Sequence, residues 1–312
     1  MDFDADGNQD IISGSWPGEL YLFRGLGQGQ FAKATKINDK SGKPIKLGSA
    51  STVFVCDFQG TGRLDLLVGD IRGNVHLVKN EGTRKEPVYG KAVFVKLGKT
   101  RLVVGGDSHP IFVDWQNTGK PGLLVGASDG SVSWYPNVGS RKDPKFAKRT
   151  VLVPKGSYGW ESTKGKKTDF RRGTRSKICV VDWNRDGKLD LLVGDYSSTQ
   201  IARKLTPAQA KKKAKLSAEL AELKTKLQSF YKSLSKGLRE ERKKLSEAKT
   251  PEARKKAMAV YTAKYQELSK SHAKEFQRRT KIYQQMRQFM GRYVSHGRVW
   301  LYLRKGTPVS AE

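Results

Sequence analysis

The chain is poor in the residues on which most side-chain chemistry depends. It has two cysteines, four histidines and four methionines among 312 residues. The two cysteines, Cys56 and Cys179, stand in separate apolar runs. A disulfide would need neighbouring strands, so they are expected to remain unbridged and say little about compartment. None of His76, His109, His272 and His296 has a Cys, a Glu or a second His at metal-ligand spacing. There is no G-x-S-x-G elbow, no Lys-bearing phosphate loop and no H-E-x-x-H. "LVVGGD" at Leu102 is a glycine turn with no helix after it. An enzyme is therefore not expected. No apolar run reaches the ~18 residues that a membrane helix needs. The opening "MDFDADGNQD" has neither the basic nor the apolar segment of an export signal. Acids are scarce too: 30 Asp and Glu face 60 Lys and Arg, a net charge of +30.

Those few acids are patterned. "DWNRDGKLDLLVGD" begins at Asp182 and "DFDADGNQDIISGS" at Asp2. "DFQGTGRLDLLVGD" from Asp57 and "DWQNTGKPGLLVGA" from Asp114 complete four copies of one unit, spaced by 55, 57 and 68 residues. Each copy continues into an alternating run: "GELYLFRGLG", "GNVHLVKNEG", "GSVSWYPNVG" and "GRVWLYLRKG". Three are preceded by β-rich runs, "STVFVCDF", "PIFVDW" and "KICVVDW". Each unit reads as strand, acidic loop, strand, tight turn, strand and a looser fourth strand. Radial repetition of such units gives a mainly β fold, a β-propeller, which manages the edges that serial hairpins would leave open.

In the fourth loop Asp182, Asn184 and Asp186 occupy alternate positions. Gly187 permits a sharp bend, Lys188 offers its carbonyl, and Asp190 closes the set. Alternation of this kind converges oxygens on one point, as a hard cation such as Ca²⁺ requires. The first loop is equally complete, with Asp2, Asp4, Asp6, the Asn8 carbonyl and Asp10. The second keeps Asp57 and Asp65 but has Gln59 and Thr61 between them. The third keeps Asp114 and has Gly122 in place of the closing acid. Tight Ca²⁺ binding is not expected in either. All four loops also read as turns held by Asx-type hydrogen bonds.

The pattern D-x-[DN]-x-DG-x-x-D-[IL]-[IL]-x-G followed by a G-x-[VL]-x strand resembles the FG-GAP/VCBS repeats of bacterial secreted and surface proteins, which also build the propeller of integrin α chains. The resemblance covers residues 2–200 and 297–308. It implies a propeller with Ca²⁺ held between the first two strands of a blade, binding or adhesion rather than catalysis, an unspecified protein or glycan ligand, and an extracellular, cell-surface or periplasmic location. About 3.5–4 blades are expected from this count. Since the chain opens inside an acidic loop and stops as a fourth strand is due, a longer parent or a ring closed by a second copy is expected.

The fourth unit is interrupted. About 100 residues separate Asp195 from Gly297, and most read as helix. Thr206, Pro207 and Gln209 form a capping box, and Leu216, Leu220, Leu223, Leu227, Phe230 and Leu234 a heptad seam. Thr250 and Pro251 restart the pattern. Tyr261, Tyr265, Leu268, His272, Phe276, Tyr283, Met286 and Met290 make a second seam, and Gly291 is the expected stop. Two helices of about 60 Å, at 1.5 Å per residue, predict a long antiparallel coiled-coil insertion over 205–292. It separates repeats over 1–200 from a return strand over 297–312, and holds more than half of the net charge. "KKKAK" at Lys211 begins the first helix, where the macrodipole disfavours cations. This predicts either a solvated face or contact with an anionic partner such as acidic glycan or lipid headgroups. Nucleic acid is disfavoured, since no base-reading fold is present. Trp115, Trp134, Trp183 and Trp300 read as structural, and Trp160 as an exposed contact in the irregular 154–176 segment. A carbohydrate-active enzyme, catalytic or accessory through that segment, is the alternative.

Overall fold

The computed structural model describes residues 1–156, 172–248 and 250–305. The chain is mainly β and divides into two compact units, Met1–Thr199 with Val294–Glu312, and Gln200–Tyr293.

Among the described residues, four antiparallel sheets of three or four strands follow one another in chain order, beside two small two-stranded sheets, Gly25–Gly27 with Gln30–Phe31 and Lys96–Leu97 with Thr100–Arg101. Sheet one orders Ile11–Ser13, Tyr21–Phe23 and Thr35–Lys36. Sheet two orders Thr52–Cys56, Asp65–Gly69, Val75–Val78 and Val93–Phe94. Sheet three orders His109–Val113, Gly122–Gly126, Val132–Tyr135 and Thr150–Val153. Sheet four orders Thr174–Val181, Asp190–Ile201 and Arg292–Tyr302. Each acidic loop of sheets two to four closes the same hairpin, since Cys56 pairs with Asp65, Val113 with Gly122 and Val181 with Asp190.

The repeated apolar run "LLVG" follows from how the sheets stack. Neighbouring residues on a strand point to opposite faces, so a sheet covered on both faces needs a continuous apolar run. Leu66 and Val68 pack with Leu20 and Leu22 of sheet one. Leu67 of the same strand packs with Phe112, Leu123 and Val125 of sheet three. Leu124 in turn joins Ile178, Leu191 and Val193 of sheet four. Three cores thus lie between successive sheets.

In the second unit α1 (Pro207–Gly237) starts at the expected capping box, with Thr206 accepting from the Gln209 amide and Gln209 accepting from the Thr206 amide. The six seam residues from Leu216 to Leu234 are all buried. The helix does not run on to the tip. Gly237 ends it, Leu238 leaves helical geometry at φ −98° and ψ 6°, and α2 (Arg239–Glu247) follows. Glycine weakens a helix interior by about 1 kcal/mol relative to alanine, and the break falls there. The return is likewise divided into α3 (Pro251–Ser269), a 3₁₀ turn at Lys270–His272, and α4 (Ala273–Arg287). Across that turn His272 and Phe276 keep to the expected seam, both packing on Phe230. Further on, Ile282 and Phe289 enter the core with Leu216, Leu220 and Leu223, while Tyr265, Tyr283 and Met290 are exposed, contrary to the expected spacing. Helix α4 ends at Arg287, ahead of Gly291. Lys264 pairs with Glu241 at 2.7 Å and Arg278 with Glu219, tying the outgoing and returning helices.

Candidate functional site

The four acidic loops share one backbone. The first Asp of each accepts the amides of the fifth and sixth loop residues. Asp2 takes Asp6 and Gly7 at 3.2 Å each, Asp57 takes Thr61 and Gly62 at 2.8 Å each, and Asp182 takes Asp186 and Gly187 at 3.0 and 2.9 Å. Asp114 does the same with Thr118 and Gly119. The fourth residue is left-handed in every copy: Ala5, Gly60, Asn117 and Arg185. So is the glycine at the sixth place: Gly7, Gly62, Gly119 and Gly187. The loops that have lost their carboxylates hold the same shape as those that kept them. Hydrogen bonds from one aspartate, with a glycine where φ must be positive, are enough to set it.

The closing acid works as a backbone clamp. One oxygen of Asp10 accepts the Phe3 amide at 2.7 Å and the other accepts Gly25 at 2.8 Å. Asp65 holds Phe58 and Asn80 likewise, at 3.2 and 2.7 Å, and Asp190 holds Trp183 and Arg304, at 2.9 and 2.8 Å. Each therefore joins its loop to the chain leaving the third strand. In the third sheet a Cβ on Gly122 would meet the Trp134 ring at 2.5 Å, so the indole fills the space where the acid stands elsewhere. Titration follows these contacts. Burial pushes the Asp57 carboxyl up, but the Gly62 and Thr61 amides and Arg141 outweigh it and hold it below its ordinary value. For Asp65 burial wins over its two amides, and its carboxyl is raised. The Arg304 amide, with that of Trp183, holds Asp190 low.

Among the described residues, the first loop alone gathers three carboxylates. Asp2, Asp4 and Asp10 each place an oxygen within 4.8 Å of the others. Asp4 is the informative member. Its side chain is 9% exposed, Arg24 pairs with Oδ2, and Oδ1 is buried with no hydrogen-bond partner. An unpartnered buried carboxylate oxygen is costly, and the all-oxygen donor set fits a hard cation. Asp6 lies outside this group and accepts the Asn8 amide at 2.7 Å. In the fourth loop Asp186 accepts the Lys188 amide at 2.9 Å and the Asn184 side chain at 3.2 Å. Asp182, Asp186 and Asp190 are not drawn together as the first-loop acids are.

Two repeated features escaped the reading of the sequence. "NEGTR" and "NVGSR" are equivalent loops between third and fourth strands. Asn80 and Asn137 fold them, each accepting two amides at 2.9–3.0 Å. Their arginines reach back to the acidic loop of the preceding sheet: Arg84 to the Asp2 carbonyl, Arg141 to the carbonyls of Asp57 and Phe58. Arg304 likewise reaches the Trp115 carbonyl and lies over its indole. The second feature is a left-handed residue followed by serine at the start of a sheet's first strand: Ala50–Ser51 and Asp107–Ser108 just ahead of it, and Arg175–Ser176 at a bulge within it. Of the cysteines, Cys56 is partly buried and Cys179 exposed, and both are free. Trp160 and most of the 154–176 segment lie outside the described residues. No helix among the described residues is long and apolar enough to cross a membrane.

Residues 2–68 match the family model of the FG-GAP-like repeat. No curated protein matches the chain. Among solved structures it is similar to the Photorhabdus luminescens Tc holotoxin pore, at 14% identity and a TM-score of 0.35, over 59% of this chain and 8% of that one. It is also similar to an Agrocybe aegerita lectin described as recognising non-reducing terminal N-acetylglucosamine. There the identity is 16% and the TM-score 0.36, over 67% of this chain and 53% of that one. The chain spans less than two thirds of either.

Proposed function

We propose that the chain is a non-catalytic binding module of the β-propeller type, working outside the cell, in which Ca²⁺ fastens the acidic loops and a coiled-coil arm supplies a second contact. The observation that carries the metal reading is the orphaned Asp4 Oδ1 beside Asp2 and Asp10. Asp2, Asp4 and Asp10 would hold the ion in the first loop. Asp182, Asn184, Asp186, the Lys188 carbonyl and Asp190 would hold one in the fourth after a local rearrangement of Asp186. The ion would neutralise converging carboxylates and add folding free energy by mass action. Arg24 offsets the Asp4 charge when no metal is bound. The stacked sheets, linked one to the next by Arg84, Arg141 and Arg304, would carry loops that present a surface to a protein or glycan ligand.

The test is a calorimetric titration with Ca²⁺. Wild type is expected to bind with affinity lowered at least tenfold by Asp4→Asn. Equal heats for both proteins would remove the first loop from the reading.

For the arm, an anionic partner is favoured by one observation. The first turn of α1 carries no acidic residue, and Lys211, Lys212 and Lys215 are exposed close behind it. Retention on a sulfated polysaccharide column should fall when these three are changed to Gln, and fall with salt. Unchanged retention would leave the lysines as a solvated face.

A further inference from the structure

The first acidic loop is met by a cation that belongs to the chain itself. Asp10 fixes its place. That carboxylate accepts the Gly25 amide at 2.8 Å, just behind the strand Tyr21–Phe23. A Cβ on Gly25 would lie 2.3 Å from the Gln9 carbonyl, so the end of the strand runs close against the loop. Arg24 stands between strand and clamp, and its guanidinium pairs with Asp4 Oδ2. The two partners differ in setting. The Asp4 side chain is 9% exposed and that of Arg24 52%. The carboxylate is held within the loop, and the guanidinium comes to it from the solvent side.

The pairing leaves Asp4 half satisfied. A guanidinium fork can serve both oxygens of one carboxylate, yet Asp4 Oδ1 is buried without a partner. Asp2 and Asp10 each bring an oxygen within 4.8 Å. Arg84 also approaches the loop, but it binds the Asp2 carbonyl rather than a carboxylate. Arg24 has room to leave. Among the described residues it lines an open cleft of about 460 Å³ with Phe3, Lys36 and Tyr89.

The repeats show that the pair is particular to this loop. The place of Arg24, seventh in "GELYLFR", holds Lys79, Pro136 and Leu303 in the other three units. The third loop residue is Asp4 here, and Gln59, Gln116 and Asn184 elsewhere. Arginine thus stands in the repeat whose third loop residue is charged. The fourth loop, the other full set of oxygens, has leucine at that place.

We propose that Arg24 is a tethered competitor for the cation of the first loop. The inference rests on the metal reading above and deepens it. Guanidinium and metal ion alternate on Asp4: one ion pair breaks as the metal contacts form, and Arg24 turns onto the wall of the cleft. Arg24 therefore sets how tightly this loop holds calcium, at a weaker affinity than its acids alone would give. The fourth loop carries no such competitor at the matching place. An arginine that merely braced the loop would act in the opposite sense, since its removal would loosen the acids and weaken calcium binding.

The test is a calorimetric calcium titration of the full chain as wild type, Arg24→Gln and Arg24→Lys, with the arginine side chains of wild type followed by nitrogen NMR. Arg24→Gln is expected to bind calcium about fivefold more tightly, the upper end for a partly exposed ion pair. Arg24→Lys keeps the charge and is expected to stay near wild type. The Arg24 guanidinium signal of wild type is expected to move as calcium saturates, a readout that depends on no variant. Equal or weaker binding by Arg24→Gln, or an Arg24 signal unmoved at saturation, would overturn the proposal and leave the metal reading standing. Absence of calcium heats from all three proteins would remove the metal reading, and this inference with it.

Discussion

Gly69 and Gly194 stand at equivalent places, four residues after the closing acids Asp65 and Asp190, and one substitution is expected to have opposite outcomes there. In Gly69→Ala the new Cβ would stand 2.2 Å from the Ser108 carbonyl, and 2.7 Å from both the Ser108 and Thr52 hydroxyls. The carbonyl belongs to backbone that cannot swing aside. Moreover the Ser108 hydroxyl is engaged with the Asp70 amide at 3.0 Å and the Asn74 carbonyl at 2.6 Å. Overpacking of a close junction costs about 1–3 kcal/mol, and a backbone clash belongs at the upper end. At about 2–4 °C per kcal/mol for a unit of this size, the midpoint should fall by roughly 6–12 °C. Among the described residues a Cβ on Gly194 would meet only the Lys177 carbonyl at 3.6 Å and the Lys177 Cβ at 3.9 Å, ordinary contacts, and the glycine's φ is not left-handed. Removing glycine there should leave the midpoint unchanged or raise it, since the unfolded chain loses about 0.4–1 kcal/mol of conformational freedom. Calorimetric melting of the two variants beside wild type decides it. Equal losses in both, or no loss in Gly69→Ala, would refute the claim that Gly69 seats the next sheet.

Three other outcomes follow from the contacts. Asp65→Ala strips the acceptor from two buried amides, Phe58 and Asn80, at about 1–3 kcal/mol each; urea unfolding should show a loss of about 4 kcal/mol. Asp57, Asp70 and Asp129 titrate below their ordinary value because hydrogen bonds outweigh burial. The stability they give is present above the ordinary carboxyl range and lost as pH falls below about 4. Melting against pH should therefore decline on the acid side, and a midpoint flat from neutral to acid would contradict this. Leu227 is fully buried between the helices, so Leu227→Ala should cost about 2–5 kcal/mol. That loss should appear in the melting of the far-ultraviolet helical signal.

The sequence made the repeats legible because each acidic loop needs an aspartate first and a glycine sixth, and because "LLVG" must be apolar on both faces. The heptad from Leu216 to Leu234 was legible for a similar reason: burial on one stripe demands it. The rest depended on contacts between repeats. Nothing local in "NEGTR" says that Arg84 reaches a carbonyl 82 residues away. Nothing local in "SAS", "GDS" or "TRS" says that a serine carbonyl will sit on a glycine, though alignment of the repeats places serine in all three. The second helical seam was legible only in part: Leu268 and Phe276 pack on the first helix as expected, but Tyr265 and Tyr283 face out and Ile282 turns inward, because aromatic spacing alone does not say which side of a tyrosine the stripe follows. Asp10 and Asp190 read as ligands because alternating oxygens suit a cation; their second task, shared with Asp65, of satisfying two backbone amides each is visible only in the fold.

The most direct test of the account is thermal unfolding in calcium against chelator, for wild type, Asp4→Asn and Asp186→Ala. The account predicts a higher midpoint in calcium for wild type, a gain that Asp4→Asn loses and Asp186→Ala reduces. Identical midpoints in calcium and chelator would contradict it, and would leave the four acidic loops as turns held by hydrogen bonds alone.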